Sequence, residues 1–290
     1  MKKFIKKSYL VTSVLLVAIV SCKKENKIPE NTVTVQNFIA TINENPTNGQ
    51  SIGTVQTTGN GTLSYSITTQ TPTGALTINA ATGELTVANT TLFNFEINPV
   101  ITATIAVNNS GTVKNLTATI NVTDVNEIGE YKFGGVIFWV NSTAKEGLVC
   151  ATIDQSAGIQ WYNGASVNTT ALGKAIGTGQ TNTTAIVAAQ GTGSYAAKLC
   201  DDLSLNGFSD WFLPSIDELK EMRINKLLID ATSVANAGTA IEATRYWSST
   251  EYSETIHAAE AASFTSSSAT FLEFKSTSHK VRAIRDWTDY

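Results

Sequence analysis

The sequence predicts an all-β sandwich followed by an α+β domain. The chain has 290 residues, which is enough for two domains that each bury a core. Residues 33–127 contain short alternating runs of Val, Ile, Thr and Tyr separated by Asn, Gly, Pro and Ser, a pattern typical of strands and turns. Residues 131–290 place apolar strands at both ends and apolar residues at helical spacing between them.

Residues 1–21 have the pattern of a secretory signal peptide. Four lysines are followed by the apolar run LVTSVLLVAIV, which is too short to cross a membrane comfortably. The run ends at Ile19-Val20-Ser21, and a cut before Cys22 resembles the lipobox of bacterial lipoproteins. The resemblance implies a lipid on Cys22 that holds the chain on a membrane without a spanning helix. A plain signal peptide and an uncleaved anchor are the alternatives.

Residues 22–32 then form a polar tether. The charged KKEN after Cys22 resembles the export signal of surface lipoproteins in Bacteroidetes-type bacteria, so the predicted location is the outer membrane or the cell surface. Loss of residues 1–21 removes four lysines and no acid, and changes the net charge from −4 to about −8. A chain this negative is not expected to bind nucleic acid or an anionic membrane surface.

The β-rich segment 33–127 resembles one cadherin repeat, which is an Ig-like sandwich. Roughly seven strands in this length is the size of a sandwich domain. Four motifs occur in the order and spacing of a cadherin repeat: Ile42-Asn43-Glu44-Asn45-Pro46, Ala81-Thr82-Gly83-Glu84-Leu85, Leu92-Phe93-Asn94-Phe95-Glu96 and Val122-Thr123-Asp124-Val125-Asn126-Glu127.

The cadherin resemblance implies candidate calcium ligands, because cadherin repeats bind Ca²⁺ at their ends through oxygen ligands. Ligand-type residues stand at four of the matching positions: Glu44, Glu96, Asp124 and Asn126. Asn94 and Asn108 stand where the family has Asp, and Glu127 replaces the final Asp. We therefore expect any Ca²⁺ to be weakly held. The alternative is that these polar groups only complete strands and turns, and we favour it.

The segment FSDWFLPSIDELKEM, residues 208–222, predicts the start of a helix and not a reactive acidic site. Ser215 and Glu218 form the S-x-x-E capping box, and acidic residues in a first turn are favoured by the helix dipole. One apolar stripe is formed by Ile216, Leu219 and Met222. GTGQTN, residues 177–182, does not follow a strand of a βαβ unit and is predicted to be a loop.

Ordered motifs across the C-terminal domain resemble the DUF1566 family, the C-terminal domain of Legionella collagen-like proteins. The motifs are GGVIFWV, GLVCA, AAKLCDDL, FSDWFLPSIDEL, YWSSTEY and VRAIRDW. The resemblance implies a surface-exposed module, often appended to bacterial lipoproteins and adhesins, with a fold similar to C-type lectins and formylglycine-generating enzymes. Some members are associated with adhesion to glycans.

The residues argue against an enzyme. Acyl transfer needs a nucleophile near a histidine, and the two histidines, His257 and His279, lie in no recognisable motif. The cysteines and histidines are too few and scattered for a zinc site. Formylglycine-generating enzymes depend on late cysteines, and none follows Cys200. We therefore predict a non-catalytic protein that requires no cofactor.

Two cysteines, Cys150 and Cys200, remain once Cys22 carries a lipid. An exported domain allows a disulfide between them, and closing that loop would stabilise the domain by roughly 4 kcal/mol. The alternative is two buried thiols, since Cys packs well as a small core residue. Cys200 lies on an apolar helical face, which keeps the alternative open. We predict the disulfide.

Aromatic residues beside polar groups are the candidate ligand contacts, because sugars stack on aromatic faces and hydrogen-bond to their neighbours. The candidates are Trp161, Tyr162, Trp247, Glu251, Tyr252, Arg282 and Arg285, the two arginines as partners for an acidic glycan. The alternative places the tryptophans in the core and pairs the arginines with acids of the same domain.

These observations predict a lipid-anchored protein for adhesion or ligand binding, with a surface glycan or a protein as partner. The alternative is an accessory subunit of a surface assembly, fimbrial or for nutrient uptake, and a cryptic enzyme ranks lower. A pocket with converging polar groups would favour ligand binding. A flat exposed apolar patch would favour assembly.

Overall fold

The computed structural model describes residues 30–265 and 270–289. The predicted signal peptide and the predicted lipidation site, Cys22, lie outside the described residues. The chain divides into two compact units, which meet in sequence at Thr123 and Asp124. Within the described ranges, no helix combines the length and the apolar character needed to cross a membrane.

The first unit is built from nine strands and one short 3₁₀ turn, as far as residues 30–123 are described. The strands are β1 (Val33–Val35), β2 (Phe38–Asn43), β3 (Ser51–Thr54), β4 (Thr57–Gly59), β5 (Leu63–Thr71), β6 (Leu76–Ile78), β7 (Glu84–Val87), β8 (Val100–Asn109) and β9 (Thr112–Thr123). They form sheets in the order β2-β9-β8-β5 and β3-β7-β6, with β1 paired to β4. The predicted all-β character is confirmed.

Alternation explains the core of the first unit. In β8 the buried residues Ile101, Ala103, Ile105 and Val107 occur at every second position, which places them on one face of the sheet. The hairpin to β9 turns at Ser110 and Gly111, both with positive φ. Asn108 Oδ1 accepts the N–H of Gly111 at 2.9 Å and stabilises this turn.

The second unit combines nine strands and four helices in its described residues. The strands are β10 (Tyr131–Lys132), β11 (Gly135–Val140), β12 (Glu146–Cys150), β13 (Ser156–Ile159), β14 (Arg245–Glu251), β15 (Ala258–Ser263), β16 (Thr270–Phe274), β17 (His279–Val281) and β18 (Ile284–Thr288). The helices are α1 (Gly179–Gln190), α2 (Ala196–Asp201), α3 (Ile216–Ile224) and α4 (Lys226–Ala235). The likeness of this α+β unit to C-type lectins stays a prediction.

Two sheets organise the second unit, with strand orders β10-β11-β12-β18 and β13-β17-β14-β15-β16. The strands β11 and β12 of the four-stranded sheet are buried on both faces, which explains their continuous apolar runs. Ile137 and Val149 face one apolar cluster, which contains four tryptophans. Val136 and Leu148 face a second cluster, which contains residues of α3 and α4.

Two sequence predictions need correction in this unit. The segment 131–140 is not one strand, because positive φ angles at Phe133 and Gly134 turn the chain between β10 and β11. GTGQTN is not a loop throughout, because α1 begins at Gly179. The start of this helix, residues 179–182, gives little sequence signal, because Gly, Thr and Asn have low helix propensity.

A long connection, residues 160–178, joins β13 to α1 without a strand or helix. A segment of this length needs partners for its backbone groups if it is to be ordered. Buried acidic side chains provide several of these partners, and Glu218 is the first.

The capping box predicted at α3 is confirmed. Glu218 Oε2 accepts the N–H of Ser215 at 2.7 Å, and Ser215 Oγ accepts the N–H of Glu218 at 3.4 Å. Glu218 is fully buried, and its Oε1 also accepts the N–H groups of Gly177 at 2.8 Å and Gly179 at 3.4 Å. Burial raises the pKa of Glu218, while these N–H donors act against the rise. One carboxylate therefore holds the starts of two helices.

Replacing Glu218 with Ala should lower the free energy of unfolding by about 3 kcal/mol, because buried N–H groups lose their acceptor. Urea denaturation would measure the change. Glu221→Ala on the same helix is the matched control and should change stability by less than about 0.5 kcal/mol. Equal effects of the two substitutions would contradict this role of Glu218.

Candidate functional site

The two tryptophans predicted as ligand contacts are core residues. Trp161 and Trp247 are fully buried. Trp161 Nε1 donates to the carbonyl of Ser248 at 2.8 Å, and Trp247 Nε1 donates to the carbonyl of Ile159 at 2.9 Å. Neither ring offers a face to a sugar, so this part of the prediction is wrong. Their polar atoms are satisfied by backbone, as is usual for buried Trp.

The two arginines are also buried, and their partners lie in the same unit. Arg282 Nε donates to Asp154 at 2.8 Å. Arg285 makes a two-pronged contact with Asp210 at 2.7 and 2.8 Å, and its guanidinium lies 3.8 Å from the ring centre of Phe208. The hydrogen bond from Arg285 lowers the pKa of Asp210. The predicted role in binding an acidic glycan is therefore wrong for both arginines.

Glu251 belongs to a buried ion pair and not to a surface site. The side chains of Glu251 and Lys275 are 2% and 1% exposed, and Lys275 Nζ donates to Glu251 Oε1. Glu251 Oε2 accepts the N–H of Thr169 at 2.8 Å and its hydroxyl at 2.7 Å. Lys275 Nζ also donates to the carbonyl of Val167 at 3.1 Å, so the pair holds the 160–178 connection.

Tyr162 and Tyr252 are the predicted contacts that stay partly exposed. Tyr162 packs against the tryptophan-containing cluster. Tyr252 follows the end of β14 and lines an open cavity of about 310 Å³. The cavity is lined by Lys174, Lys220, Tyr252, Glu260, Thr270, Phe271 and Leu272.

The cavity beside Tyr252 combines aromatic and charged groups. Lys174 pairs with Glu260 at 2.5 Å, and Lys220 pairs with Asp217 at 2.6 Å. Lys174 and Lys220 keep side-chain exposures of 60% and 41%, so both side chains border the open cavity. An aromatic ring beside accessible donors and acceptors suits a polar ligand such as a sugar. Sequence patterns did not reveal the two lysines, because they come from a loop and from α3.

The first unit has a larger open groove, of about 690 Å³, along β5 and β6. Its lining consists of Thr, Ser, Gln, Tyr and aliphatic side chains, from Tyr65 to Ile78. No lining residue carries a charge, and none was predicted as a ligand contact. The groove therefore gives less chemical support for specific binding than the cavity beside Tyr252.

Glu44 and Glu96 of the first unit fit a hard cation. Their carboxylate oxygens come within 4.8 Å of each other. Glu44 is buried, and its Oε2 accepts the N–H of Phe95 at 2.9 Å. Asn94, which stands where cadherin repeats have Asp, stabilises a turn, because its Oδ1 accepts the N–H of Ile97 at 2.9 Å. Two carboxylates supply part of the oxygen shell that Ca²⁺ requires.

Asp124 and Asn126, the other two predicted calcium ligands, belong to the second unit. Lys132 Nζ donates to Asp124 Oδ2 at 2.9 Å and supplies a cation to this carboxylate. Asn126 Nδ2 donates to the carbonyl of Ala144 at 2.9 Å and to Asp289 at 3.1 Å. A calcium ion would compete with Lys132 for Asp124. Calcium binding stays a prediction.

The predicted disulfide is absent, and Cys150 and Cys200 are both buried free thiols. Cys150 lies in the cluster that contains Leu148, and Cys200 lies in the cluster that contains Val149. Since neighbouring strand residues point to opposite faces, the four-stranded sheet separates the two sulfur atoms. Burial raises the pKa of Cys150 to about 12 and also raises the pKa of Cys200.

Comparison with known proteins supports the C-terminal resemblance. Residues 150–285 match the family model of the Lcl C-terminal domain, which confirms the resemblance predicted from the ordered motifs for those residues. No curated protein matches the chain.

Among solved structures, cadherin domains are similar to part of the chain. The extracellular domain of protocadherin gamma B4 is 23% identical over 33% of this chain and 17% of its own, with a TM-score of 0.30. The third cadherin domain of human protocadherin 7 is 19% identical over 33% of this chain and 88% of its own, with a TM-score of 0.30. This chain therefore spans less than two thirds of the protocadherin gamma B4 chain. A TM-score of 0.30 is too low to support an argument about fold. The assignment of the first unit as a β-sandwich therefore rests on its own sheets.

Both thiols should resist modification in the folded protein, because burial blocks access and disfavours the thiolate. A thiol reagent added under native conditions should label neither Cys150 nor Cys200. After denaturation without reductant, both should react, as shown by peptide mapping. If labelling of the denatured chain requires prior reduction, the two cysteines form the disulfide predicted from the sequence.

Proposed function

We propose that the protein is a non-catalytic lipoprotein, anchored through Cys22, that binds a surface glycan through its C-terminal unit. The cavity beside Tyr252 is the observation that carries the proposal. The match of residues 150–285 to the Lcl C-terminal domain supports a surface role, because the resemblance implies modules of exported proteins.

The ligand class follows from the side chains of the cavity. Tyr252 offers an aromatic ring on which a sugar ring can stack, while Glu260 and Thr270 offer acceptors for hydroxyl groups. Lys174 and Lys220 favour a glycan that carries carboxylate or sulfate groups. A local basic site is compatible with the negative charge of the whole chain, because screening limits charge effects to about 8–10 Å.

An accessory role in a surface assembly is the second candidate, and helix α4 favours it. Leu227, Leu228 and Val234 are 84%, 50% and 60% exposed on this helix. Ile224, at the end of α3, is 68% exposed. Several large apolar side chains this exposed are typical of a protein-binding surface.

A glycan-array screen of residues 23–290, with Ca²⁺ and again with chelator, would test the proposal. Binding to acidic glycans that falls with added salt supports the cavity beside Tyr252. Loss of binding in chelator would connect binding to calcium. Absence of binding under both conditions, together with proteins that co-purify with the chain, would favour the assembly role.

Tyr252→Ala should weaken glycan binding roughly tenfold, because the stacked ring is lost. Tyr131→Ala is the matched control, since Tyr131 is an exposed tyrosine on β10 that does not line the cavity. Calorimetric titration of both variants with the best array ligand measures the effect. A Tyr252 variant that binds like wild type would contradict the placement of the site.

A further inference from the structure

The buried Glu251–Lys275 pair places a carboxyl group beside a primary amine, the two groups that condense to form an amide bond. Lys275 Nζ contacts Glu251 Oε1, and the two side chains are 1% and 2% exposed. The ring of Trp161, itself fully buried, has its centre 4.5 Å from Nζ and excludes water from one side of the amine. The reacting groups are therefore held together in a dry site.

The two oxygens of Glu251 have different surroundings. Oε2 accepts two hydrogen bonds from Thr169, from its N–H at 2.8 Å and its hydroxyl at 2.7 Å. Oε1 faces the amine of Lys275. Two donors on one oxygen are the arrangement that stabilises negative charge developing there when a nucleophile adds to the carboxyl carbon. Oε1 is then the oxygen that can leave.

Burial favours the neutral form of the Lys275 amine. Desolvation lowers the pKa of Lys275, although its hydrogen bond and attraction to Glu251 act in the opposite direction. Two charges in an apolar core carry a desolvation cost that their attraction repays only in part. Transfer of one proton from Nζ to Oε1 gives a neutral amine beside a carboxylic acid, the two reactants of amide formation.

We propose that Lys275 and Glu251 condense spontaneously into an isopeptide bond that cross-links β14 to the chain just after β16. This modification goes beyond the proposed function and does not depend on it.

The reaction balances without an added reagent. The lone pair of Nζ forms a bond to Cδ of Glu251, and the C=O electron pair moves to Oε2 beside Thr169. A proton from Nζ passes to the Oε1 hydroxyl, and the Cδ–Oε1 bond breaks to release one water molecule. The C=O bond to Oε2 then re-forms. One carboxylate and one ammonium give one amide and one water. Because Nζ already contacts Oε1 of the same carboxyl group, no encounter step is needed.

The surroundings match the product. The amide oxygen, derived from Oε2, keeps both hydrogen bonds from Thr169. The amide nitrogen keeps one hydrogen, and the carbonyl of Val167, 3.1 Å from Nζ, accepts it. Every polar group of the new bond therefore has a partner, and two buried charges disappear.

Tryptic digestion of the denatured full-length chain tests the proposal. Trypsin cuts after Lys and Arg, and between Arg245 and Lys280 the sequence contains one such residue, Lys275. The cross-link should block this cut and give peptide 246–280 with a mass lower by one water molecule. Separate peptides 246–275 and 276–280 at full mass, in place of the joined peptide, would show an ion pair alone and overturn the proposal.

Two variants separate the cross-link from a missed cleavage. Glu251→Gln should form the same bond with loss of ammonia, and therefore give the same joined peptide as wild type. The double variant Glu251→Gln with Lys275→Met removes both charges and the nucleophile. It should give peptide 246–280 at its full mass. Two results would contradict the assignment. One is a peptide 246–280 of the double variant that is lighter by one water molecule. The other is a single variant whose peptides carry the introduced glutamine without loss of ammonia.

Discussion

The order of the second unit depends on buried carboxylates that accept hydrogen bonds from backbone outside regular structure. The 160–178 connection carries N–H groups that no strand or helix satisfies. Glu251 accepts the N–H of Thr169, and Glu218 accepts that of Gly177. A buried carboxylate is costly unless it has such partners, and the loop would lack order without the carboxylates. The buried glutamates and the ordered 160–178 connection therefore depend on each other.

The same constraint determines where binding can take place. Glu251, Arg282 and Arg285 have the chemistry of ligand contacts, yet each is buried and satisfied by its own unit. A ligand reaching Glu251 or Arg282 would have to break a buried ion pair, at a cost of about 3–5 kcal/mol for each pair. Tyr252, adjacent to Glu251 in sequence, is the predicted contact that reaches an open cavity.

Sequence reasoning predicted features that depend on local pattern. The alternation in β8 and the capping box of Ser215 and Glu218 have signals within a few residues. The partners of Glu218 at Gly177 and Gly179 are about forty residues away, and the pairing of Arg285 with Asp210 is more distant still. No local pattern encodes such contacts. Cys150 lies in a continuous apolar run, which does not show the face of the sheet it occupies, and the position of Cys200 also required the tertiary fold.

Hydrogen exchange of individual backbone amides in the 160–178 connection tests the account most directly. The account predicts that the N–H group of Thr169 exchanges nearly as slowly as that of Val149 in the buried strand β12, and that of Gly177 far more slowly than in an unstructured peptide. Each N–H group donates to an oxygen of a buried glutamate side chain. Exchange of these two amides at the rate of an unstructured peptide would contradict it. In that case the buried carboxylates would not be what orders this unit.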